Sequence, residues 1–138
     1  MWTVDDSIDN ALRKLNFSSD IFCELGSSES NKVIKKAKYI FVANDPRVWW
    51  LSLKVPYTSI SVEAFDNFNY ILQNFPSKKC FFIPENEKEC LRVFDGTIST
   101  IIELLGECVF FEYYIITKDY KILLIENDHN ELLIVNAQ

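Results

Sequence analysis

The stretch Val109-Phe110-Phe111-Glu112-Tyr113-Tyr114-Ile115-Ile116, then Lys118-Asp119, then 120–126, then Asn127-Asp128-His129-Asn130, then 131–136, decides the fold. Three apolar runs rich in β-branched and aromatic residues alternate with two short polar turns, the pattern of a three-stranded antiparallel meander. A two-residue turn at Lys118-Asp119 predicts Thr117 opposite Tyr120. A four-residue turn at 127–130 predicts Glu126 opposite Glu131. Both alternating sets of the first run are mainly apolar: Val109, Phe111, Tyr113 and Ile115 on one, Phe110, Tyr114 and Ile116 on the other, with Glu112 the exception. A sheet with one wet face alternates apolar and polar residues. This one therefore needs cover on both faces, from a helix, another part of the chain or a partner.

Working outward, Gly106 stands where a helix would end, after the apolar face Ile98, Ile101, Ile102 and Leu105, with Thr97 or Asp95 as its N-cap. Before it, Cys80 to Pro84 and Cys90 to Phe94 read as two strands joined by an acidic turn, Glu85 to Glu89. Phe65, Phe68, Leu72 and Phe75 recur at helical spacing after Ser61, a good N-cap, and Pro76 closes that helix, about 62–74. Arg47 to Lys54 reads as a strand, although so short a buried run can equally be helical. Tyr39 to Val42 reads as a strand ended by Asn44-Asp45-Pro46. Ser30 can cap a short helix over 31–37. Val4, Ile8, Leu12 and Leu15 make one face of a helix over 4–15, with Thr3 as its cap. The sum is one α+β domain, 1–138: an antiparallel sheet of about five or six strands ending in the meander, with two or three helices packed on it.

A chain of 138 residues can bury roughly two thirds of its unfolded surface, so it needs no disulfide or metal staple. Net charge is −6 and uneven: residues 1–60 carry 8 Lys/Arg against 7 Asp/Glu, and residues 61–138 carry 6 against 13. An acidic second half argues against nucleic-acid binding and admits a basic protein partner. The four cysteines, at 23, 80, 90 and 108, form no C-x-x-C and read as reduced thiols of a cytoplasmic protein. No basic-then-apolar leader opens the chain and no run of about 18 apolar residues offers a membrane span.

Few residues carry chemistry. His129 is the sole histidine, in a turn flanked by Glu126 and Glu131. One imidazole with carboxylates crowding one turn does not supply three converging ligands, so no metal and no cofactor is expected. Glu112, among aromatics, would gain an acid's raised pKa if buried. Three glycines, at 26, 96 and 106, leave no phosphate-cradling loop, and no nucleophile motif is present. In the pair Trp49-Trp50 a strand would send one ring to the core and the other to the surface, where a Trp beside Arg47 suits a binding hot spot.

Taken in order, the segments 47–54, 80–85, 105–108, Glu112-Tyr113-Tyr114-Ile115 and Leu123-Leu124-Ile125-Glu126-Asn127-Asp128-His129 resemble a family of small bacterial proteins of unknown function. In that family an Arg-Trp-Trp segment precedes a helix, and an E-Y-Y-I strand is followed by W-L-x-x-E-N-H-H. Some relatives are similar to immunity proteins of bacterial polymorphic toxin systems. Ile122 stands in place of the family's Trp, and Asp128 in place of the first of its paired His. The resemblance carries over no catalytic residue. It implies a non-enzymatic protein that binds a cognate toxin, basic and nuclease-like, and occludes its active site. The expected contact residues are Trp50, Glu85, Glu87, Glu89, Glu126, Asp128, His129 and Glu131. Two alternatives compete: a small hydrolase using His129 with Asp128 or Glu112, and an adaptor that forms a homodimer through a sheet edge or face.

Overall fold

The computed structural model describes residues 3–61, 64–75, 78–86, 91–129 and 131–137. The first helix, α1 (Val4–Leu15), has the expected bounds. Thr3 Oγ1 accepts from the Asp6 amide at 3.0 Å, and Asp6 Oδ2 accepts from the Thr3 amide at 3.1 Å. This reciprocal pair satisfies two groups that a helix start otherwise leaves bare. β1 (Phe22–Glu24) follows, then α2 (Ser27–Phe41). The strand expected over 39–42 is thus mostly the last turn of α2, and Gly26, not Ser30, precedes the helix. Val33, Ala37 and Phe41 recur every four residues and are buried on one face, so the apolar run extends a helical stripe.

Asn44 and Asp45 both adopt the left-handed region, with φ of 62° and 47°, and turn the chain back on itself. The segment expected as a strand, 47–54, is a single 3-10 turn at Trp49–Ser52, clamped by Ala43 N to Ser52 O at 2.8 Å and Lys54 N to Phe41 O at 3.0 Å. β2 (Tyr57–Ser61) follows Pro56; its polar Thr58, Ser59 and Ser61 hide it from an apolar-pattern reading. α3 (Ala64–Asn74) and β3 (Lys79–Pro84) match expectation, while Glu63, Pro76, Cys90 and the Ser61 side chain lie outside the described residues.

β4 (Phe94–Thr97) begins where the returning strand was expected to end. Gly96 lies in it, facing Phe22 of β1, and a Cβ there would come 2.5 Å from the Phe22 ring. The close β1–β4 approach needs that glycine. α4 (Ile98–Glu107) is capped by Thr97, whose Oγ1 accepts from the Thr100 amide. Gly106 does not end it: the helix runs one residue further, and no glycine has positive φ among the described residues.

β5 (Tyr113–Thr117), β6 (Ile122–Glu126) and β7 (Glu131–Asn136) form the meander. Two registers differ from expectation. Ile116 pairs with Leu123, so the first turn has two more residues than expected and each side chain keeps its face. Glu126 pairs with Leu132, not Glu131, because Asn127 extends the ladder by donating its amide to Glu131 O at 3.1 Å.

Among the described residues the sheet has seven strands, all antiparallel, in the order β1-β4-β3-β5-β6-β7-β2. Tyr113, Ile115 and Leu124 pack under α1, α3 and α4 through Ile8, Ile71 and Ile101. Tyr114, Ile116 and Leu123 pack under α2 and the 3-10 turn through Val33, Phe41 and Trp49. The chain itself covers both faces, which resolves the double apolar pattern of the meander.

Candidate functional site

One end of the sheet gathers the end of β3, the start of β5 and the β6–β7 turn, with the 3-10 turn packed beside them. Tyr113 and Tyr114 are consecutive in β5, so their side chains leave on opposite faces. The Tyr114 ring stacks on Trp49, with centroids 4.5 Å apart and planes at 19°. Its hydroxyl accepts from the Trp49 amide at 3.2 Å and donates to Glu85 Oε1 at 3.2 Å. Arg47 Nη1 lies 3.5 Å from Glu85 Oε2. Burial pushes the Glu85 carboxyl above its ordinary pKa, against the pull of Tyr114 and Arg47. Burial, reinforced by the Glu85 charge, pushes the Tyr114 phenol far up, so it remains a donor.

Glu85 also ties in the next strand: its amide donates to Glu112 O at 2.8 Å. Glu112 precedes β5 and is half-buried. Its Oε2 accepts from Trp50 Nε1 at 3.1 Å and from the Asp128 amide at 2.9 Å. One carboxylate therefore joins the 3-10 turn to the β6–β7 turn. Trp50 meets the His129 ring edge-on at 5.5 Å. The turn is fixed from beneath by Asn127, which is fully buried. Its Oδ1 accepts from the His129 amide at 3.0 Å and the Glu131 amide at 3.2 Å, and its Nδ2 donates to Glu131 Oε1 at 3.1 Å. Ser59 of β2 donates to Glu131 Oε2 at 3.0 Å. These bonds from Asn127 and Ser59 hold the Glu131 carboxyl below its ordinary pKa.

Above this support, the Asp128 and His129 side chains are 65% and 64% exposed, with Oδ1 and Nε2 3.5 Å apart. Arg47, paired with Glu85, is also exposed, and Trp50 is half-buried. The structure thus brings together Trp50, Asp128, His129 and Glu131 of the expected contact residues, with Glu112. Glu85 and Glu126, also expected as contacts, are 7% and 3% exposed, each held by a tyrosine hydroxyl. Glu126 lies on the other face of the sheet, where Tyr113 donates to its Oε1 at 2.5 Å. Glu87 and Glu89 lie outside the described residues.

Sequence reasoning placed Arg47 beside the tryptophan pair but overlooked Tyr114 and Asn127 as parts of the site. The signal was the Tyr-Tyr pair itself: two buried phenols on opposite faces each require a partner. Chemically, the carboxylates Glu85 and Glu112 are occupied in holding the surface. What is presented outward is an Asp–His pair, an indole edge and a guanidinium, a mixture suited to recognition. Among the described residues no group of three or more His, Cys, Asp or Glu could hold a metal ion, and no helix is long and apolar enough to cross a membrane.

No curated protein and no solved structure matches the chain. A family match, by contrast, spans all of residues 1–138 and takes in every segment that meets at this end of the sheet. The chain belongs to DUF6756, a family of unknown function.

Proposed function

We propose that this chain is a non-enzymatic binding protein of the bacterial cytoplasm, an immunity protein that occludes the active site of a cognate toxin. The observation that carries the reading is the use of the carboxylates. Glu85 and Glu112 are spent on internal hydrogen bonds that fix the tip, while the Asp128, His129 and Arg47 side chains are exposed and Trp50 is half-buried against His129. A surface held rigid before binding loses little entropy on docking, which favours tight association. The acidic second half of the chain supports a basic partner through electrostatic steering. The same segments resemble a family some of whose relatives are similar to immunity proteins, which supports the same reading.

The test is co-expression with the product of the adjacent gene, followed by pull-down and a growth assay. Capture and rescue of growth are expected. The double variant Trp50→Ala/Asp128→Lys should lower affinity at least tenfold while remaining folded. Absence of capture, or full rescue by that variant, overturns the proposal. A second reading, a hydrolase, is favoured by one observation, the 3.5 Å Asp128–His129 pair. It requires turnover of ester or phosphoester substrates that disappears in His129→Ala.

A further inference from the structure

Among the described residues the sheet has two outer edges, β1 and β2. An edge strand offers unpaired N–H and C=O groups to any other bare strand, and soluble proteins blunt such edges with shortness, charge or proline. β1 is blunted: it is three residues long, and its Glu24 is ion-paired with Arg92 at 2.9 Å. β2 is not. Its run Tyr57-Thr58-Ser59-Ile60-Ser61 carries no charge and no proline. Tyr57, Thr58 and Ser59 are exposed.

The ladder decides which backbone groups of β2 point outward. Glu131 O accepts from the Asn127 amide, so the Glu131 peptide groups face β6. Successive residues of a strand point these groups to opposite sides. Leu132 and Ile134 therefore face β2 and bond to their register partners, Ile60 and Thr58. Tyr57, Ser59 and Ser61 are left with outward amides and carbonyls, and among the described residues no backbone group meets them from that side. A strand that satisfies all three must itself be bare, uncharged and spaced by two. β2 of a second copy meets that condition. Run antiparallel about Ser59, it sets Ser59 opposite Ser59 and Tyr57 opposite Ser61. Each such pair exchanges two hydrogen bonds, about six in all. Registers centred on Thr58 or Ile60 leave one outward position of each copy unpaired. With Ser59 at the centre, Thr58 also lies opposite Ile60 of the second copy, a favourable pair of β-branched residues.

We propose that two copies of this chain associate through β2, edge to edge and antiparallel about Ser59, into one continuous sheet. The interface is isologous and its strand is neutral, so copies that each carry a net charge of −6 meet where they repel least. Ser61 pairs with Glu131 at the tip end of β7, whereas Tyr57 pairs with Val135 at the far end. The two-fold therefore sends the two Asp128–His129 tips to opposite ends and leaves both open. The association does not depend on the toxin-binding reading. Failure of either leaves the other standing.

The test is analytical ultracentrifugation of the full chain over a concentration series, with amide hydrogen exchange followed by NMR. A reversible monomer–dimer equilibrium is expected. The Tyr57, Ser59 and Ser61 amides should gain protection as concentration rises, whereas those of Thr58 and Ile60 are protected throughout. Thr58→Lys puts a charge on the edge at an exposed position and sets the lysines of the two copies diagonal to each other. Tyr57→Pro removes an outward amide without touching a bond to β7. Each should raise the dimer dissociation constant at least tenfold in a protein with unchanged circular dichroism. A monomer at the highest soluble concentration, a dimer in which those three amides exchange at a concentration-independent rate, or a dimer that neither variant weakens overturns the proposal. Protection of those amides only when another protein is added assigns the edge to that partner and also overturns it. Should Tyr57→Pro fail to fold, Thr58→Lys and the exchange pattern of the unaltered chain decide it.

Discussion

Tyr113 and Tyr114 are neighbours on one strand, and each donates a hydrogen bond to a buried glutamate, yet the two pairs are built differently. Tyr114–Glu85 is enclosed: Trp49 stacks on the ring, the Trp49 amide donates to the hydroxyl, and Arg47 brings a cation to the carboxylate. Tyr113–Glu126 has a shorter hydrogen bond and borders an aromatic cavity. The difference teaches that one local pattern, a tyrosine pair at the start of a central strand, can supply a brace on one face and the floor of a cavity on the other. The first face is held by stacking and charge pairing, whereas the second leaves space beside the pair.

The comparison can be broken most forcefully at the brace. Trp49 is 1% exposed and carries the stack. Trp49→Ala should cost about 3–5 kcal/mol, the range for deleting a buried aromatic side chain, as read by urea denaturation. A loss below ~1 kcal/mol would show that the stack does not support the tip. Next come the hydroxyls. Tyr114→Phe removes a donor from Glu85 and an acceptor from the Trp49 amide, so two buried groups lose a partner. Tyr113→Phe takes one donor from Glu126. Each should cost about 1–3 kcal/mol, with Tyr114→Phe the larger. The reverse order would break the distinction between brace and floor.

A pH titration sharpens the enclosed pair further. The folded pKa of Glu85 is raised, chiefly by burial, so the folded state holds that proton more tightly than the unfolded chain. Its contribution to stability is full below the unfolded carboxylate pKa and is lost as pH rises through the folded one. Glu85→Gln cannot titrate. The stability difference between the wild type and Glu85→Gln should therefore shrink as pH rises through that window. A difference independent of pH would show that the carboxyl is not desolvated by the fold.

The meander and α1 were legible because their signals are local: alternating apolar runs between polar turns, and a Thr3–Asp6 capping box before a four-residue stripe. β2 was not, because its stability comes from pairing with β7, while its own Thr and Ser carry little apolar pattern. The Trp49–Ser52 turn was misread because so short an apolar run fits either period; only the left-handed Asn44 and Asp45 and the clamp to Phe41 and Ala43 decide it. The site suffered the same limit. Trp50, Asp128 and His129 were visible as residue types, whereas Glu85 and Glu126 are buried through contacts 29 and 13 residues distant in sequence. Acidic residues in a turn-like setting look like surface until their partners are known.

The smallest effect belongs to the exposed end of the braced surface and distinguishes support from contact. His129→Ala removes a ring that is 64% exposed, but its backbone amide still donates to Asn127 Oδ1 at 3.0 Å. Stability should change by no more than about 0.5 kcal/mol, as for surface positions away from special features. Asn127→Ala, two residues earlier, withdraws one acceptor from two backbone amides and one donor from Glu131 in a fully buried setting, and should cost about 1–3 kcal/mol. If the tip is a contact surface held from beneath, His129→Ala weakens partner binding at unchanged stability, whereas Asn127→Ala weakens both together. A His129→Ala variant as unstable as Asn127→Ala would place the imidazole among the supports and remove it from the contact surface.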